Sequence, residues 1–191
     1  MKKRTVALLC AAMMIVGIAA GGTLAWLADK TDPVTNTFTV GSIDIDLTES
    51  EDLDLKMVPG KTITKDPKIT VTDGSEDSYV FVKIEKSENY GTFLENYTVA
   101  DGWKLVAEEG NVSVYYREYE ATTGAAEYPV LKGNQVKVLT TVTKAQLDAV
   151  KAAPGTAPTL TFTAYAIQSA DLGTTDIATI WEMAQSAASG T

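Results

Sequence analysis

Read from Ser42 onward, the chain alternates apolar and polar positions with a period of two. In Ser42-Ile43-Asp44-Ile45-Asp46-Leu47 the apolar side chains fall on odd positions, and in Tyr79 to Glu85 Val80, Val82 and Ile84 share one side while Lys83 and Glu85 take the other. Both stretches predict half-buried strands. Further strands are predicted at Ile69–Thr72, Trp103–Ala107, Val112–Tyr119, Gln135–Thr143 and Leu160–Ile167, and turn signals such as Asp73-Gly74, Asp101-Gly102, Glu109-Gly110-Asn111 and Lys132-Gly133-Asn134 separate them. Many short strands at this spacing, rich in Thr, Val and Ile, point to an antiparallel β-sandwich. Upstream, Phe38 and Val40 are apolar on even positions, so the phase flips at Gly41-Ser42. Either a bulge there joins the two halves, or Phe38 and Val40 belong to a separate pairing segment.

Two segments change period. Lys144–Lys151 has helical spacing, with Thr143 as its N-cap and Pro154-Gly155 as its stop. Asp176–Ala188 places Ile177, Ile180, Trp181 and Ala184 on one face, with Thr174 or Thr175 as cap and Trp181 as the docking residue. One or two short helices therefore lie at the periphery of the sandwich.

The first thirty residues follow neither period. Lys2, Lys3 and Arg4 precede an apolar run from Val6 to Ala20, followed by the small residues Gly21-Gly22-Thr23. That order is the order of a signal peptide. Thr23 and Ala25 suit positions −3 and −1 of a cut between Ala25 and Trp26, whereas a cut after Ala28 puts bulky Trp26 at −3. The alternative is an uncleaved anchor, because Val6 to Ala28 is long enough to span a bilayer; against it stand Gly17, Ala19, Ala20, Gly21 and Gly22. The expected organisation is 1–25 signal peptide, 26–41 N-terminal segment and 42–191 sandwich domain, with no stable membrane span once the leader is cut. The expected localisation is secreted, in the extracellular matrix or at the cell surface.

Charge and composition then narrow the chemistry. The chain has 191 residues, 45% hydrophobic and 21% charged, enough for a real core. With 16 Lys+Arg against 25 Asp+Glu its net charge is −9, and losing Lys2, Lys3 and Arg4 makes it more acidic still. Such a field repels phosphate backbones, so nucleic acid is not an expected partner. There is no histidine, and the only cysteine, Cys10, sits in the leader. Serine–histidine and cysteine–histidine sites are thereby excluded, as are HExxH zinc sites and disulfides. No cofactor and no catalytic residue is expected. Asp44 and Asp46 are the weak metal candidates in an acidic run reaching Asp54, but they alternate with Ile43, Ile45 and Leu47, which puts them on the solvent face of a strand. Tyr115-Tyr116-Arg117-Glu118-Tyr119 could stack on sugars or could pack within the sheet.

Several of these stretches resemble a known family. Gly21-Gly22-Thr23-Leu24-Ala25-Trp26-Leu27-Ala28-Asp29, followed by Asn36-Thr37-Phe38-Thr39-Val40-Gly41-Ser42-Ile43-Asp44-Ile45, is similar to the opening of the TasA/camelysin proteins. Val58-Pro59-Gly60-Lys61-Thr62-Ile63-Thr64-Lys65 resembles the family's PGD turn with Lys61 in the acidic place, and Tyr79-Val80-Phe81-Val82-Lys83 resembles one of its strands. The resemblance implies a jelly-roll-like sandwich, processing by a SipW-type signal peptidase, and export to the cell surface and biofilm matrix. It implies a structural subunit or accessory component of a matrix or fibre, whose partners are copies of itself or related matrix proteins. In fibre-forming members an N-terminal segment is donated to the next subunit's sheet. Here that segment would be Trp26 to Val40, with Trp26, Leu27, Val34, Phe38 and Val40 as anchors and Pro33 facing away from the acceptor or ending the pairing. The alternative is a monomeric surface adhesion module binding a glycan or host ligand. A third reading, a metal-dependent hydrolase, follows from the protease description attached to camelysin, although the residues offer no histidine ligand.

Overall fold

The structure, a computed structural model, describes residues 41–50 and 56–189. Within them the chain forms nine strands and three helices: β1 (Ile45–Thr48), β2 (Thr62–Thr64), β3 (Lys68–Val71), β4 (Ser78–Lys86), α1 (Tyr90–Phe93), β5 (Lys104–Glu109), β6 (Val112–Tyr119), β7 (Ala126–Pro129), β8 (Gln135–Lys137), α2 (Lys144–Ala152), β9 (Leu160–Gln168) and α3 (Ile177–Ser189). The described residues belong to one compact unit. The class is mainly β and antiparallel with a few short helices, as the alternation predicts. One sheet has the order β5-β6-β4-β9, a second the order β1-β3-β7, and β2 pairs with β8.

The four-stranded sheet and the β1-β3-β7 sheet face each other across a core of Ile69, Val71, Val80, Val82, Ile84 and Tyr119. Alternation explains the membership, since even residues of β4 and odd residues of β3 point into the same layer. The predicted half-burial of β4 needs correction at Phe81. It is fully buried although it lies on the opposite side from Val80 and Val82, because α3 packs across the outer face of the sheet. Trp181 of α3 meets Phe81 at 5.4 Å between ring centroids and Tyr165 of β9 edge-on at 4.9 Å. The outer face of β4 is therefore dry at Phe81, while Tyr79, Lys83 and Glu85 beside it stay partly exposed. A third cluster, with Ile63, Tyr90, Phe93, Leu131 and Val138, fills the end of the molecule where α1 and α2 lie.

Local chemistry sets the helix ends. Thr143 caps α2 through a reciprocal capping box with Gln146, as expected. For α3 the cap differs: Asp176 accepts from the Thr179 N–H at 3.2 Å and from its hydroxyl at 2.6 Å. Thr174 sits one step back, accepting the Asp176 N–H at 3.1 Å. The two Thr179 hydrogen bonds hold the Asp176 carboxyl below the usual range.

Candidate functional site: an open sheet edge

The two outer strands of the four-stranded sheet are built differently. β5 carries Lys104, Glu108 and Glu109, is exposed along most of its length, and breaks register with β6 between Leu105 and Ala107. β9 pairs with β4 over nine consecutive residues without a bulge and carries no charged side chain. No described strand pairs with its far side.

Register fixes which backbone groups that far side presents. Ser169 donates to the Asp77 carbonyl at 2.8 Å and Ser87 donates to the Thr159 carbonyl at 3.0 Å, so the odd positions of β9 turn their N–H and C=O groups toward β4. Leu160, Phe162, Ala164 and Ala166 turn theirs outward. The same even residues aim their side chains at the core layer, opposite Ile84, Val82 and Val80. Yet they stay half-exposed, while Val80, Val82 and Ile84 are fully buried. Among the described residues nothing covers this side of the sandwich along β9.

β1 borders this opening. It runs beside β9 with Cα atoms within 8 Å, and no ladder joins the two among the described residues. A depression of ≈ 460 Å³ lies between Ile45, Ala164, Ala166 and Ala184. Another of ≈ 320 Å³ lies between Leu47, Lys65, Leu160 and Phe162. Beyond them, at the Leu160 end, a pocket of ≈ 440 Å³ is lined by Met57, Ile63, Tyr90, Leu94, Val136 and Leu160. Lys65 stands between the last two, its ammonium 2.6 Å from Glu49 and 5.4 Å from the centre of the Phe162 ring. Next to it Ser50 donates to Asp66 through its N–H at 3.1 Å and its hydroxyl at 2.6 Å, which lowers the Asp66 pKa and pins the end of β1. Burial pushes the Tyr90 hydroxyl up to about 12, and that hydroxyl has no hydrogen-bond partner.

The opposite opening is sealed. Residues 94–100 run along residues 130–137, with Ala100 donating to Val130 and Lys132 to Thr98, each at 2.8 Å. Trp103 donates its indole N–H to Pro129 at 2.9 Å. The Arg117 guanidinium lies 3.7 Å from the Tyr128 ring centre and 5.4 Å from that of Trp103. Gly102 has φ of +95°, a left-handed conformation that favours glycine, and a Cβ there would press on that guanidinium at 3.0 Å.

The residues singled out from the sequence fall in three places. Ala25, Trp26, Leu27, Val34, Phe38 and Val40 lie outside the described residues. Asp44 and Asp46 lie on the exposed side of the first strand segment, with the Asp44 carboxylate accepting from the Thr72 hydroxyl at 3.2 Å. Among the described residues no group of three or more His, Cys, Asp or Glu gathers as metal ligands. The tyrosines of β6 are used for packing: Tyr119 is buried and donates to Gly124 at 2.9 Å, and Tyr116 packs on Tyr79 and Phe81. Sequence reasoning missed the opening along β9, although its signal, a strand with no charge on either face, was legible.

The described residues form an antiparallel β protein in which β9 is an end strand with no described partner on its far side. Residues 1–90 match the family model of camelysin metallo-endopeptidases, and the resemblance to TasA/camelysin proteins is borne out over that part of the chain. No curated protein and no solved structure matches. Among the described residues no helix is long and apolar enough to cross a membrane. The metal that the family description implies does not fit the residues present. Protein zinc sites are built chiefly on histidine nitrogen or cysteine sulfur with carboxylates as co-ligands; the chain has no histidine and a single cysteine, Cys10, and among the described residues no three carboxylates gather, so no metal step is derived.

Proposed function

We propose that this is an exported structural protein of an extracellular matrix or fibre, cut between Ala25 and Trp26 and assembled by addition of the 26–40 segment of one copy to the β9 edge of the next. The observation that carries the reading is the uncharged, unbulged edge of β9 above half-covered core side chains. An added strand would satisfy the outward N–H and C=O groups and cover Phe162, Ala164 and Leu160 at once. A contact of donor on one surface and acceptor on another does not close on itself and propagates as a filament. The leader-like first 25 residues and the family match over residues 1–90 support export. The family description favours an endopeptidase as second reading, and the absence of histidine weighs against it.

The test is negative-stain microscopy of the chain beginning at Trp26 beside one beginning at Ser42, with circular dichroism to establish that both fold. Filaments from the longer form alone are expected. Monomers from both, equally folded, would contradict strand donation and favour a monomeric adhesion module.

A further inference from the structure

The pocket at the Leu160 end of β9 lies past the stretch that an added strand needs for pairing. Its floor is core: Ile63, Tyr90, Leu94 and Val136 are all buried, so the hollow reaches down to the third hydrophobic cluster. Leu160 and Met57 form its walls. The one cation on its lining, Lys65, is turned to Glu49. At ≈ 440 Å³ it is in the size range of sites that enclose a compact apolar group.

We propose that this pocket is a socket for the indole of Trp26 from a second copy of the chain. The proposal rests on the strand-donation reading and adds to it the end point and direction of the donated segment. Reach supports it. From Gln168 to Leu160, β9 spans about 26 Å at ~3.3 Å per residue, and residues 26–40 extended span about 46 Å by the same rise. A segment entering at the Gln168 end therefore carries its first residue beyond Leu160 with about six residues of slack at that rise, enough to absorb the break at Pro33. Residues 26–40 hold two aromatics, Trp26 and Phe38, and Phe38 is too near the entry to arrive there. The donated segment then runs parallel to β9, with its small and β-branched residues over the shallower hollow beside Ala164 and Ala166. An aromatic seated in a desolvated pocket is the kind of anchor that dominates an interface.

The experiment uses the chain beginning at Trp26, with Trp26→Ala, Trp26→Phe and Ala157→Trp, the last filling the pocket from its rim and checked by circular dichroism. Critical concentration for assembly is measured for every variant, and Trp26 emission is followed in the parent chain carrying Trp103→Phe and Trp181→Phe, where Trp26 is the remaining indole of the three, with folding checked by circular dichroism. Expected are at least a tenfold higher critical concentration for Trp26→Ala and Ala157→Trp, near-normal assembly for Trp26→Phe, and a blue shift of Trp26 only on assembly. Assembly unchanged in Trp26→Ala and Ala157→Trp overturns the socket while leaving strand donation standing. Trp26 emission already blue-shifted in a dilute monomer overturns the second copy as occupant. Failure of the parent chain to assemble overturns strand donation, and the socket with it.

Discussion

β5 and β9 are the two edges of one sheet, made from the same backbone geometry and treated in opposite ways. β5 has Lys104, Glu108 and Glu109, a register break, and Leu105 exposed at 53%. The charges and the register break are usual devices that stop a second chain from pairing, and they offset the exposed Leu105. β9 has none of them, and its inward side chains are left half-covered. A protein with two unguarded edges aggregates in both directions, and one with two guarded edges stays alone. One of each restricts any pairing with a second chain to one edge of this sheet. The two openings between the sheets repeat the lesson, since Trp103, Arg117 and Tyr128 fill the one beside β7 while nothing described fills the one beside β9.

The comparison breaks most severely if the cover of the sheet is removed. Trp181→Ala strips contact from both Phe81 and Tyr165 and should cost about 3–5 kcal/mol in denaturant unfolding. It should also raise exchange of β9 amides, since the strand loses its outer support. Next, Arg117→Ala should cost about 2 kcal/mol, because a partly desolvated cation leaves two rings, and should expose Trp103 to quenchers. That substitution would make the sealed opening resemble the open one.

Tyr90 gives an alkaline test at the socket end. Burial raises its hydroxyl to about 12 from an ordinary value near 10, so the folded state disfavours the phenolate. Stability from this group is complete below pH 10 and is lost as pH rises through about 12, by on the order of 2 kcal/mol. Tyr90→Phe should remove that slope in unfolding curves at pH 9 and 11.5. At neutral pH it should stabilise by about 1 kcal/mol, since the hydroxyl is buried without a partner. Smallest in stability is Ala164→Lys, which gives β9 the inward-pointing charge its counterpart edges use. It should change unfolding free energy by less than about 1 kcal/mol on a half-exposed strand and still abolish filaments by microscopy.

Long strands were legible from the sequence because alternation persists over enough residues to be read: β6 has the predicted bounds, and β4 and β9 extend them by a residue or two. The short ones were not. β2 has one apolar residue, Ile63, between two threonines, and β7 has few apolar positions and ends on Pro129; tertiary pairing with β8 and β3 makes them strands. The stretch predicted as one strand from Gln135 to Thr143 pairs with β2 only as far as Lys137, and Val138 bridges to Leu94 before the chain turns at Leu139. α1, four residues long, has too few turns to show a period. Phe81 was misjudged because the cover over it comes from residues about a hundred positions away, a distance no local pattern carries. Of the candidate site, the donor was read from resemblance; the lack of charge on β9 was legible, but its place at the edge of the sheet emerged only from strand order, which periodicity does not encode.

The central claim is that the far edge of β9 accepts a strand, and residue-resolved hydrogen exchange on unassembled and assembled protein tests it most directly. The account predicts that the amides of Leu160, Phe162, Ala164 and Ala166, which point away from β4, are protected only on assembly, while Thr161, Thr163 and Tyr165 are protected in both states. Filaments in which those four amides still exchange as in the monomer would contradict it.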